Sequence, residues 1–297
     1  MTFAELDRTF GLSSCFSGAT YAGWTTDIAV TAPLVVGLLV YATGVARLWR
    51  AAGPGRGATY WQVACFAVGW LCMAAALLSP LHDLSRRIFA AHMIEHELVM
   101  TIAAPLLVLA RPLGPMLWSA PKALRRPVAN GARLGAWFLG WDLLTRPIVA
   151  AILHGAAIWV WHIPILFEAA LRIELVHWIQ HLSFLITALF FWWTVLERPL
   201  TRPAGTAMLV LFVTALHTGF LGILITFARR PIYALQSADA AGWNLTPLAD
   251  QQLAGLIMWV PGGMVYAVAA LALAALWVAR SSSDTRPALP LEARHAE

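Results

Sequence analysis

The sequence predicts an all-α polytopic membrane protein with seven transmembrane helices, and three observations carry that prediction. Seven apolar stretches are each long enough to cross about 30 Å of hydrocarbon at about 1.5 Å per residue. Only 12% of the 297 residues are charged and 60% are hydrophobic, whereas a water-soluble domain carries about 25% charged residues. The arginines gather in short segments between the apolar runs, on alternate sides.

The stretches run over 27–49, 59–78, 88–110, 147–166, 175–196, 205–227 and 253–278. Gly53-Pro54-Gly55 closes the first, Ser79-Pro80 the second and Arg111-Pro112 the third. Arg198-Pro199 and Arg230-Pro231 follow the fifth and sixth. Each pair is a chain breaker that a helix does not readily cross. The segment 134–144 is apolar and tryptophan-rich but too short to span, so an interfacial helix is expected there. The fifteen tryptophans suit anchoring at both membrane faces.

Lys and Arg counted by alternate loops give fourteen against six. The richer set includes Arg47, Arg50, Arg56, Lys122, Arg125, Arg126 and Arg280; the poorer is Arg8, Arg86, Arg87, Arg172, Arg229 and Arg230. The positive-inside bias then places the N-terminus outside and the C-terminus in the cytoplasm. The expected division is an extracytoplasmic segment 1–26, a seven-helix membrane domain 27–279 and a disordered cytoplasmic tail 280–297. The formal charge of +5 does not suggest nucleic acid, since Lys122 is the sole lysine and the arginines follow the topology. Three cysteines make no disulfide framework. Cys15 follows a Leu-Ser-Ser box without an apolar signal core before it, so lipid attachment is not expected.

On this topology seven of nine histidines lie in or just above the outer half of the membrane. His92/His96 and His177/His181 are two pairs at i, i+4 spacing, in HMIEH and HWIQH. His162 falls at the outer end of span four, His217 just past the middle of span six, and His82 with Asp83 in the loop before span three. Asp250 and Gln251 cap the outer end of span seven; His154 lies deeper and His295 in the tail. Imidazole is costly in hydrocarbon, so convergence at one depth points to a metal or cofactor. Glu95 and Gln180 sit beside the two pairs, where such groups fix an imidazole's tautomer and basicity.

Three chemistries fit that set. Copper suits imidazole, and thioethers such as Met93, Met100 and Met258 favour Cu(I). Bis-histidine haem would take one axial imidazole from each of two facing helices. The H-x-x-E-H of His92 to His96 matches inverted zinc peptidases, which would need a further carboxylate such as Glu168 or Glu174. Gln180 in place of a glutamate in the second pair favours ligand architecture over hydrolysis.

HMIEHELVMTIAAPLLVLARP, Trp161-His162, HWIQH, His217-Thr218-Gly219 and DQQLAGLIMWVPGG together resemble the CtaG-like family of multi-span cytochrome c oxidase assembly proteins. The resemblance covers nearly the whole membrane part. It implies a non-enzymatic assembly factor of the prokaryotic plasma membrane, working with oxidase subunits or an accessory copper donor. It also implies copper handling through His92, His96, His162, His177, His181 and His217, with Asp250, Gln251, Met258 and Pro261 in the last span. Glu95, Gln180, His82 and Asp83 are expected to support the ligands or line the access route. Pro261-Gly262-Gly263 is expected to kink span seven.

Overall fold

Caps and prolines set the helix boundaries in the computed structural model, which describes residues 23–25, 27–131, 135–197, 204–233, 235–237 and 239–284. Cys15, most of segment 1–26 and the tail beyond 284 lie outside these residues. Helix α1 (Ile28–Ala52) begins where the Asp27 carboxylate accepts the Ala29 N–H, and stops at Gly53 with φ +97°. Helix α2 (Tyr60–Leu78) opens on a capping box between Thr59 and Gln62. Short α3 (Pro80–Ser85) follows, with proline in its first turn. Then come α4 (Phe89–Leu109), α5 (Leu113–Ser119), α6 (Lys122–Gly131) and α7 (Gly135–Leu144). The expected interfacial helix is thus helical as α7. Helices α8 (Pro147–Trp161), α9 (Pro164–Arg172), α10 (Glu174–Leu196) and α11 (Ala204–Thr226) lead to α12 (Pro247–Ser281), which stays helical to Asp284.

Among the described residues six helices are long and apolar enough to cross a membrane, and a seventh crossing is made if α8 and α9 count as one. The expected fourth span, 147–166, is broken: its two halves meet at 75°. Pro164 is the cause, because it forces Ile163 into extended backbone (ψ 123°) and ends the helix just before it. His162 therefore sits at a corner. Pro261 acts differently. The turn around it widens to a π turn, Met258–Gly262, inside a continuous helix. A matching π turn, Leu98–Ala103, precedes Pro105 in α4, where the Ala104 N–H reaches back to the Val99 carbonyl. The extra residue in each turn accommodates the missing proline N–H.

Helix α4 is the centre of the bundle. Its apolar window is 61% buried in the protein, against 11% to 44% for the other unbroken spans. One core lies between α4 and α1–α2, around Tyr41, Phe66 and Leu107. The other lies between α4 and α8–α12, around Phe184, Trp192 and Tyr266. Trp192 donates its indole N–H to the Met100 carbonyl in the α4 π turn, 2.9 Å away. At the end remote from the histidine pairs, Arg111 grips Glu197 with two bonds of 2.7 and 2.8 Å, tying α4 to α10. Large apolar side chains on the outer faces, among them Val36, Leu71, Ile152 and Phe212, are exposed as lipid-facing residues would be.

Helices α11 and α12 cross backbone to backbone. A Cβ on Gly255 would lie 2.6 Å from the Gly222 carbonyl oxygen and 2.7 Å from the Thr226 nitrogen. Small residues permit such approach in apolar surroundings, where packing drives helix association. Gly255→Ala is expected to cost about 1–3 kcal/mol, read as a lower thermal unfolding midpoint in detergent. Gly263→Ala, where an added Cβ meets nothing within 4 Å, should be close to neutral.

Candidate metal centre

The start of α4 has no cap of its own, since Ile88 offers no side-chain acceptor. Asp250 supplies one from α12: its two oxygens accept the Phe89 and Ala90 N–H groups at 2.8 and 2.9 Å. Ser237 donates to the same carboxylate at 2.6 Å. Neighbouring Gln251 accepts the Ile232 and Tyr233 N–H groups at 2.6 and 3.3 Å. Gln236 donates to the carbonyls of Ser85 and Ile88. The α11–α12 connection is thus stitched across the head of α4. Tyr233, whose phenol burial pushes up to about 12, donates to the His162 carbonyl at 2.5 Å.

One turn below that cap the two histidine pairs meet. His92, Glu95 and His96 are buried on α4, and His177 and Gln180 are buried on α10. Ring centroids are 4.2 Å apart for His92–His96, 4.5 Å for His177–His181, 5.1 Å for His96–His181 and 6.2 Å for His92–His177. His82 joins from α3, its ring 5.5 Å from His177, with Nδ1 on the Glu95 carboxylate at 2.7 Å. Glu95 also lies 3.8 Å from His181 Nε2. So Glu95 and His82 stand where the sequence suggested, beside the pairs.

The hydrogen bonding within this cluster is uneven. His177 and His181 bond to each other through their Nε2 atoms at 2.8 Å. Both ring nitrogens of His92 and of His96 are enclosed without a hydrogen-bond partner, as are both polar atoms of the Gln180 amide and one Glu95 oxygen. Buried polar atoms are nearly always paired, so each orphan asks for an explanation. A cation bound by imidazole would supply one, and the donor set fits copper. No three His, Cys, Asp or Glu side chains among the described residues yet converge as a ready ligand set; the α10 pair is bonded to itself instead.

Other expected members are placed elsewhere. His162 donates from Nδ1 to the Ile158 carbonyl at 2.7 Å, leaving Nε2 enclosed and unpartnered. Phe167 contacts both its ring and that of His92, at 6.3 and 5.1 Å between centroids. His217 does not join the pairs: it accepts the Trp159 indole N–H at 3.3 Å and packs on Gly155. Its near neighbour His154 is held by Thr187 and Tyr266 at 3.2 and 3.3 Å. Asp83 forms a rim ion pair with Arg87 at 3.5 Å. Met258 is buried in the core one turn from the α12 glycines. Glu168 pairs with exposed Arg172 at 3.8 Å and brings no carboxylate to the imidazoles.

Two residues at the site were not singled out in the sequence. Arg86, counted as a loop charge, lies with Nη2 3.3 Å from His177 Nδ1. Glu97 points away from the pairs toward α12, where its carboxylate covers Gly262 so closely that a Cβ there would lie 2.8 Å from both oxygens. A carboxylate within an apolar span was the available signal for the second.

Fold and site define a class: a multi-pass helical membrane protein with an imidazole cluster buried near one end of its bundle. The chain belongs to the cytochrome c oxidase caa3 assembly factor family, Caa3_CtaG, which it matches over residues 39–280. It is also similar to uncharacterized proteins of Mycobacterium bovis and Mycobacterium tuberculosis, each 28% identical over 291 aligned positions. The match covers 92% of this chain but 42% of theirs, so the chain spans less than half the length of these relatives. No solved structure matches it.

Asp250→Ala leaves two buried N–H groups at the head of α4 without an acceptor. Lost capping and orphaned donors together are expected to cost about 2–4 kcal/mol, and Asp250→Asn, which keeps one acceptor oxygen, less. Thermal unfolding in detergent checks this. Unchanged stability with altered metal binding would instead make Asp250 a ligand.

Proposed function

We propose that this protein serves cytochrome c oxidase assembly by binding copper at the α4–α10 histidine cluster and passing it to oxidase subunits or an accessory copper donor. The observation that carries the proposal is the facing of two i, i+4 imidazole pairs, with ring centroids 5.1 and 6.2 Å apart across the gap and the α4 nitrogens enclosed and unpartnered. Imidazole is a good ligand for copper, and few ligands with vacant lone pairs make binding exchangeable, as a carrier requires.

The charge bias of the loops, together with the family, supports a bacterial plasma-membrane protein with its cluster toward the outer face. The space between α4 and α10 is filled by the imidazoles and by Phe184, whose ring is 4.7 Å from His96. A haem macrocycle would have to displace them, which favours an ion over haem. Hydrolysis is less well supported, because Glu95 is engaged by His82 and Glu168 by Arg172.

Copper bound to the purified full chain, compared between wild type and His92→Ala/His96→Ala, tests the proposal. The double variant is expected to bind Cu(I) at least about tenfold more weakly. Equal copper binding would overturn the ligand assignment, and a Soret band on the wild type would replace copper by haem.

A further inference from the structure

Arg86 makes no salt bridge among the described residues, whereas adjacent Arg87 pairs with Asp83 and Asp239 at 3.5 Å. Its guanidinium is directed instead at a neutral imidazole, 3.3 Å from His177 Nδ1. A guanidinium can only donate. His177 Nδ1 is therefore the bare nitrogen, and the ring proton sits on Nε2. That Nε2 faces His181 Nε2 at 2.8 Å, so His177 donates and His181 accepts. His181 must then carry its own proton on Nδ1. The chain Arg86 to His177 to His181 runs in one direction and uses every lone pair it meets.

The contrast with α4 is direct. A neutral imidazole has one lone pair, and those of His92 and His96 are engaged by nothing. His177 has none to offer while Arg86 and His181 hold it. We propose that Arg86 is the latch of the copper site: it withholds the α10 pair, so that an arriving ion is held by the α4 pair alone and stays exchangeable. Withdrawal of Arg86 frees His177 Nδ1, breaks the His177–His181 bond on ligation and closes the second pair over the ion. The inference rests on the copper proposal above. The fixed positive charge works in the same direction, since a guanidinium bonded to one ligand repels a cation among the others.

The latch has a signature that needs no metal. In ¹⁵N spectra of the metal-free full chain, labelled at histidine, His177 is expected as the Nε2–H tautomer, and Arg86→Ala should turn it into a mixture. A wild-type His177 protonated on Nδ1 overturns the proposal. The second measurement is Cu(I) competition against a chelator. Arg86→Ala is expected to bind Cu(I) about tenfold more tightly, or more, and to release it more slowly.

Most of that gain must disappear when His177→Ala is added, because the latch acts through His177. A gain that survives His177→Ala would be bare charge repulsion and would overturn the latch. Unchanged or weaker binding in Arg86→Ala would do so too. Arg86→Lys, which keeps the charge and one donor group, is expected to behave like wild type and serves if the alanine variant does not fold. A wild type that binds no Cu(I) at all removes the copper proposal, while the tautomer measurement still decides whether Arg86 orders the imidazoles.

Discussion

A carboxylate from the last span holds the first turn of the third, and much of the site depends on that contact. The first four N–H groups of a helix have no partner within it, and burying them in an apolar bundle is expensive. Helix α4 starts on Ile88, which cannot help. Asp250 takes two of those N–H groups and also compensates the positive end of the helix dipole. Because His92 and His96 lie on the next two turns, the depth and rotation of both imidazoles follow from a residue more than 150 positions away. Gln251 and Gln236 extend the same constraint by tying the α11–α12 connection to the backbone beside it. The polar cap of span seven is thus a mounting for the imidazoles.

The two π turns carry this arrangement downward. Pro105 in α4 and Pro261 in α12 each remove one backbone bond, and beside each the helix widens to a π turn. Widening rotates what lies below relative to what lies above. In α4 it lets the upper turns present His92 and His96 to α10 while the lower part meets α2. The π turn of α12 places Gly262 against Glu97, so a carboxylate is accommodated by the absence of a side chain opposite it. At Pro261, where a kink was anticipated, the helix carries a π turn, which relieves the clash between the proline ring and the preceding carbonyl.

What the sequence disclosed follows from the range over which each signal acts. Spans and the breaks between them are local, and they were legible from apolar length and proline, whereas the break at Pro164 inside the expected fourth span was not read. The His92/His96 and His177/His181 pairs were legible because i, i+4 spacing fixes a common helix face without knowledge of any neighbour. His217 was placed with them by depth and by the family resemblance. Depth says nothing of azimuth, and α11 turns that imidazole toward Trp159 and Gly155. Asp83, at a similar level, pairs with Arg87. Asp250 was found by its position, yet its role was hidden because a long-range cap leaves no mark near the helix it serves. Arg86 was read only as topology, since nothing in an arginine's sequence context shows that it will face an imidazole.

Carrying an ion and keeping it are opposed requirements, and on the copper-carrier proposal the uneven bonding of the cluster answers that opposition. Four imidazoles closing on one cation would bind it too firmly to surrender. Here the four are unequal: two stand with unengaged nitrogens, and two are spent on each other and on a guanidinium. The inequality is built from directional bonds, since a donor that cannot accept fixes the tautomer of the first ring and, through it, of the second. Burial reinforces it, because in a low-dielectric interior an imidazole gives up a good hydrogen bond only for a stronger partner. On the copper-carrier proposal, a site with this asymmetry would hold an ion by few ligands, which is the condition under which an ion can be passed on.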